Sequence, residues 1–156
     1  LLSRDESYAK RIFSIDRGGD KPRKDYAKWS DIKTYIFYFF DELFSEDVKQ
    51  GYNFAENITM DEAKKLVSEY ARIYNPNDTK EEWFERVKEF CEAMGYSKDV
   101  KGFKKNPGSY KGHVGDVTGV IRVAVTNRRN TPDLYEIMQV LGEKTVQERF
   151  SRLSGY

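Results

Sequence analysis

Apolar side chains recur every three or four residues along most of this chain, so the pattern predicts helices from one end to the other. Tyr8, Ile12 and Ile15 mark an opening helix that ends near Arg17, before Gly18 and Gly19. From Ser30, a good N-cap, the residues Ile32, Tyr35, Ile36, Phe39, Phe40 and Leu43 describe a wide apolar stripe on one long helix. Residues 45–58 lose the period and contain Gly51 and Asn57, which predicts a linker. Thr59 with Glu62, and Thr79 with Glu82, have the spacing of capping boxes. The first opens a helix whose apolar face is Met60, Ala63, Leu66, Val67, Tyr70 and Tyr74, ending at Asn75–Pro76. The second opens a helix with Trp83, Phe84, Val87, Phe90, Cys91 and Met94 inward and Gly95 at C′.

Residues 97–119, rich in Gly and Lys and containing Pro107, predict a short helix and an irregular loop. The run VIRVAV at 120–125 favours a strand by propensity. A lone strand cannot make a sheet, so the run is read as a buried helix with Arg122 on its rim. A helix start follows, with Thr131 as N-cap, Pro132 at the first helical position and Asp133 complementing the helix dipole. After Gly142 a last helix carries Val146, Phe150 and Leu153.

At 156 residues the chain can form one domain or two small helical subdomains. The 27 Lys+Arg and 26 Asp+Glu nearly cancel, so binding of a polyanion requires a local concentration of charge. One cysteine cannot form an internal disulfide, and no stretch reaches the roughly 18 apolar residues of a membrane span. A soluble, cytoplasmic chain is expected. It opens on Leu1, inside a helical pattern, which reads as a segment of a longer protein.

The inventory for catalysis is poor. His113 is the only histidine and has no Cys or His at metal spacing, so no metal site is expected. Phosphate-cradling and nucleophile-elbow motifs are absent. The stronger constellation is basic and aromatic. Lys21, Arg23, Lys24 and Lys28 surround Pro22 in one loop, and Arg122, Arg128 and Arg129 surround a second, beside the free donors of a helix start. Unpaired bases or a polyanion would suit them, although Asp16, Asp20, Asp25 and Asp31 could equally leave the first cluster a solvated, balanced loop.

Three stretches carry a resemblance: IRVAVTNRRNTPDLYEIMQVLGEKTVQERF at 121–150, KPRKDYAKWSDIKTYIFYFF at 21–40 and, more weakly, YAKRIF at 8–13. The chain resembles the C-terminal, anticodon-binding half of bacterial glutamyl-tRNA synthetases, which are class I aminoacyl-tRNA synthetases. The resemblance implies an all-α fold of two helical subdomains, residues 1–57 with the basic loop 17–29 and residues 58–156. It implies that Arg122 contacts one anticodon base and that Thr131, Pro132 and Leu134 line the pocket of another. Arg23 would read the last anticodon position and separate glutamate tRNA from glutamine tRNA. Lys21, Lys24, Arg128 and Arg129 are candidate contacts to the tRNA backbone. The expected partner is glutamate tRNA, with glutamine tRNA as a second candidate, and neither DNA nor a membrane.

These residues lack the family's nucleotide-binding signature and lysine-rich mobile loop. No catalytic residue or cofactor is therefore expected here, while ATP and magnesium would serve the catalytic half. Many members have Gly at the position of Asn127, and Asn tolerates the left-handed turn that Gly would supply. Two other readings stay open: a helical adaptor that binds proteins, and a small enzyme centred on His113 and Asp116.

Overall fold

Both capping boxes form. Thr59 accepts from the backbone N–H of Glu62 while the Glu62 carboxylate accepts from that of Thr59, and Thr79 and Glu82 repeat the exchange. The structure, a computed structural model, describes residues 6–17 and 34–156. Its elements are α1 (Glu6–Ser14), a 3-10 turn (Phe37–Phe39), α2 (Asp41–Val48), α3 (Met60–Ile73), α4 (Lys80–Ala93), α5 (Val100–Lys105), a second 3-10 turn (Pro107–Ser109), α6 (Val114–Thr126), α7 (Leu134–Leu141) and α8 (Glu143–Ser154). Among the described residues there is no strand, only an isolated bridge between Ser97 and His113. The all-α expectation holds.

Helix α6 is the hydrophobic axis. Val117, Val120, Ile121, Val123, Ala124 and Val125 are all buried, and α6 packs on α3, α4 and α8. VIRVAV is thus a helix despite its β-branched content, because burial on several sides outweighs a weak local preference. Helices α3 and α8 pack along each other, α7 lies on α8, and α1 lies on α7. Buried residues from Ile12 to Leu153 form one cluster. Its aromatic centre places Tyr70 edge-on to Phe90 and Phe150, with Trp83 Nε1 donating to the Tyr70 hydroxyl at 2.8 Å. Cys91 sits in this core as expected, and burial pushes its thiol up to about 12.

The single long helix from Ser30 to Leu43 is not what forms. Ser30 and Ile32 lie outside the described residues, and beyond residues 34–36 the helix tightens into the 3-10 turn and stops at Phe40, whose backbone is extended. Four consecutive aromatics, Phe37 to Phe40, cannot share one helical stripe; breaking the helix lets Tyr38 and Phe39 both be buried. The break also resets the register, so Phe44 is buried and Leu43 is 40% exposed.

The carbonyls freed by the break find side-chain donors. Tyr8 donates to Phe39 O at 2.7 Å, and Arg149 Nη1 donates to Tyr38 O at 2.7 Å. Arg149, only 3% exposed, also donates to Val125 O near the end of α6 and, through Nη2, to Asp41 at the start of α2, and it lies on the ring of Phe44 at 3.9 Å. One guanidinium therefore joins α8, α6, the 3-10 turn and α2.

Replacing Arg149 with Ala leaves two buried carbonyls without that donor and should cost about 3–5 kcal/mol in urea unfolding. Asp41→Asn should cost under about 1 kcal/mol, since the Asp41 side chain is 66% exposed. Equal losses would contradict the assignment of the anchor to the backbone carbonyls. A second prediction concerns acid. The guanidinium of Arg86, at 2.6 and 3.0 Å, holds the buried Asp78 below the usual carboxylate range, and Arg128 does the same to Asp47. A depressed folded value stabilises above about pH 4 and is lost as pH falls through it. The urea midpoint should therefore drop between about pH 5 and pH 3, and Asp78→Asn should flatten that drop.

Candidate nucleic-acid interface

The site begins where α6 ends. Asn127 caps α6 in the left-handed conformation, φ 54° and ψ 28°, as its residue type allows. Its side chain does more than tolerate the turn. Oδ1 accepts from Asn53 N at 2.9 Å, and Nδ2 donates to Asp47 at 2.7 Å and to Gly51 O at 3.1 Å. The loop after α2 is thereby fastened to the turn after α6.

From that turn the chain runs through Thr131 and Pro132 into α7, whose N-cap is Asp133, not Thr131. The helix begins at Leu134, so Pro132 precedes it. Asp133 wins because its carboxylate reaches Glu136 N at 2.9 Å, while the Thr131 hydroxyl is turned toward Pro132 O at 2.8 Å and toward Arg122. The Asp133 N–H donates to Asp16 on the segment after α1 at 3.0 Å. Two carboxylates therefore already occupy the helix N-terminus, which does not offer the open anion site expected from the sequence.

The arginines do not converge either. Arg122 projects from α6 to the turn, where Nη1 donates to Thr131 Oγ1 and to Pro132 O at 2.9 Å. Arg128 points the opposite way, bidentate on Asp47 at 2.8 and 3.0 Å and over the Phe37 ring at 4.1 Å. Arg129 is exposed and lines a separate, smaller apolar cleft of about 180 Å³ with Phe54, Ile58 and Gly119. Lys21, Arg23 and Lys24 lie outside the described residues.

What the structure does bring together is Arg122, Thr131, Pro132 and Leu134, on the wall of one cleft of about 590 Å³ between α4 and α6. The opposite wall holds Trp83 and Phe84. Phe84 is the residue that periodicity misplaced: expected inside, it is 41% exposed, because the apolar arc of α4 is wider than its buried face. Lys80, paired with Asp133 at 2.6 Å, and Glu81 complete the rim with Asp16. The carboxylates of Asp16, Glu81 and Asp133 outnumber the cations Lys80 and Arg122 here, so the cleft does not suit a phosphate. An exposed aromatic face beside hydrogen-bonding side chains suits an unstacked, uncharged nucleobase.

His113 and Asp116 form a capping box at the start of α6. His113 Nδ1 accepts from Gly115 N at 3.0 Å, and Asp116 accepts from His113 N at 2.9 Å and from Asn57 at 3.2 Å. Their polar atoms serve the helix start. Among the described residues no group of His, Cys, Asp and Glu could hold a metal ion, and no helix is long and apolar enough to cross a membrane.

Residues 109–153, which span α6, α7, most of α8 and the cleft residues on them, match the family model for an anticodon binding domain. Over 97% of its length the chain is 46% identical to a glutamate–tRNA ligase of Clostridium perfringens, of which it covers 28%. It is 42% identical to the corresponding ligases of Clostridium beijerinckii and Sorangium cellulosum, covering 28% and 26% of them. The chain thus spans little more than a quarter of the length of these relatives. No solved structure matches it. The resemblance read from residues 8–13, 21–40 and 121–150 is borne out: the chain matches the anticodon-binding, C-terminal part of the glutamate–tRNA ligases.

Proposed function

We propose that this chain grips the anticodon loop of glutamate tRNA on behalf of a glutamate–tRNA ligase, and that the cleft between α4 and α6 receives one anticodon base. The observation that carries this is the placement of Arg122, Thr131, Pro132 and Leu134 opposite Phe84 around one cleft of base-accommodating size. A base stacked on Phe84 would have its edge toward Arg122 and Thr131. The bond from Arg122 to Pro132 O sets the position of the guanidinium before RNA arrives, which limits the ordering cost of binding.

Arg128 acts here by holding the turn to Asp47, with Arg129 the more exposed candidate for a backbone phosphate. Arg23 would read the last anticodon position, and Lys21 and Lys24 would meet the phosphates beside it. Attachment of glutamate with ATP and magnesium would be the work of the ligase's remaining part, in the cytoplasm. Glutamine tRNA would be excluded or admitted according to how strictly Arg23 reads its base.

Binding of glutamate tRNA, glutamine tRNA and an unrelated tRNA, followed by fluorescence anisotropy at low and moderate salt, tests the proposal. Phe84→Ala should weaken glutamate-tRNA binding by about 5- to 100-fold, the range expected for one lost stacking contact, and leave the fold intact because the ring is exposed. Arg122→Gln should weaken it comparably. Arg23→Gln should erase the preference for glutamate over glutamine tRNA. Wild-type binding that is equal for all three tRNAs and unaffected by Phe84→Ala and Arg122→Gln would instead favour the protein-binding adaptor.

A further inference from the structure

The chain is almost neutral as a whole, yet its charge is not evenly spread. Residues 98–111, the excursion that joins α4 to α6, carry Lys98, Lys101, Lys104, Lys105 and Lys111 against a single acid, Asp99. Asp99 is committed to capping α5, accepting from Gly102 N at 2.5 Å. Lys98 is paired with Glu92 at 3.1 Å, and Lys111 lies along Gly95. Lys101, Lys104 and Lys105 are different. They stand at i, i+3 and i+4 on one face of α5, all three exposed, and none makes an ion pair among the described residues. Three uncompensated cations so close together repel one another, and only bulk counterions relieve them.

The position of this face matters as much as its charge. Phe103, on the same short helix, packs against the ring of His113, which caps α6, with centroids 5.4 Å apart. Val114, Thr118 and Arg122 then follow at four-residue spacing on one partly exposed stripe of α6, and the last two line the cleft. The start of α6, against which Phe103 holds α5, lies eight residues of helix, about 12 Å, from Arg122 in the cleft. A single-stranded loop seated in the cleft continues as a duplex stem, and a stem presents regularly spaced phosphates at that range.

We infer that Lys101, Lys104 and Lys105 form a second nucleic-acid contact that binds the phosphate backbone of the stem adjoining the bound loop, without reading its sequence. The inference rests on the reading of the cleft as a base site. It divides the labour between two surfaces: a cleft without excess positive charge that selects a base, and an ammonium cluster that supplies salt-dependent affinity.

The test uses the triple variant Lys101→Gln, Lys104→Gln, Lys105→Gln and its charge-keeping counterpart with Arg at the same positions, in the 156-residue chain. The probes are a glutamate-tRNA anticodon stem-loop and the same loop sequence without a stem. Wild type should bind the stem-loop more tightly. The Gln variant should lose about tenfold or more in stem-loop affinity at low salt and lower the slope of log K against log salt by about 2 to 3, while binding the stemless loop as wild type does. The Arg variant should restore both. Stem-loop affinity and salt slope unchanged in the Gln variant, with Phe84→Ala still impairing binding, would overturn the inference and leave the cleft reading standing. Loss of binding to anionic phospholipid vesicles, with RNA binding intact, would overturn it in favour of a membrane surface. Absence of RNA binding by the wild type would overturn both.

Discussion

The guanidinium of Arg149 is the constraint around which the rest is arranged. A charge buried to this degree is costly to desolvate, which lowers its proton affinity, and it is tolerated because three acceptors from three different elements converge on it. Two of these acceptors are main-chain carbonyls made available by local breaks: Tyr38 O by the 3-10 turn, and Val125 O by the approaching end of α6. Nε is buried without a partner, so the site is not perfectly satisfied. Its value is geometric. It fixes where α6 stops relative to α2, and everything at the cleft is measured from that stop.

Beyond Val125 the chain has little freedom. Thr126 donates back to Arg122 O at 2.7 Å, Asn127 turns left-handed, and Arg128 locks onto Asp47. The turn that presents Thr131 and Pro132 to the cleft is thus held from the α2 side by Asn127 and Arg128 and from the α6 side by Arg122. The same short basic run serves two purposes: Arg128 stabilises the turn, while Arg122 faces the cleft. The cleft's slight excess of carboxylates then favours a base over a phosphate, leaving longer-range attraction to lysines outside it.

Much of this was legible in the sequence because it is local. Capping boxes at Thr59 and Thr79 depend on residues three apart, and the left-handed Asn127 depends on its own side chain. The helical fate of VIRVAV was legible from the absence of partner strands. What escaped notice depends on distant residues. The stop at Phe40 reflects competition among four aromatics for one core and the presence of Arg149 more than a hundred residues later. Asp133 displaces Thr131 as cap because Arg122 and Pro132 engage the threonine. The exposure of Phe84 was invisible to periodicity, which marks an apolar residue without saying whether a neighbour covers it. The adjacent Trp83 and Phe84, which widen the apolar arc of that helix beyond what one neighbour can cover, were the signal available.

The central claim is that an anticodon base enters the cleft between Phe84 and Arg122. Photo-cross-linking tests it most directly. A glutamate-tRNA stem-loop is prepared with a thio-substituted base at each anticodon position in turn, irradiated in complex with the chain, and the adducts are mapped by mass spectrometry. The account predicts adducts from one anticodon position at Phe84 or within residues 131–134, and not from bases in the stem. Adducts spread evenly over all positions, or confined to surfaces remote from α4 and the turn before α7, would contradict it.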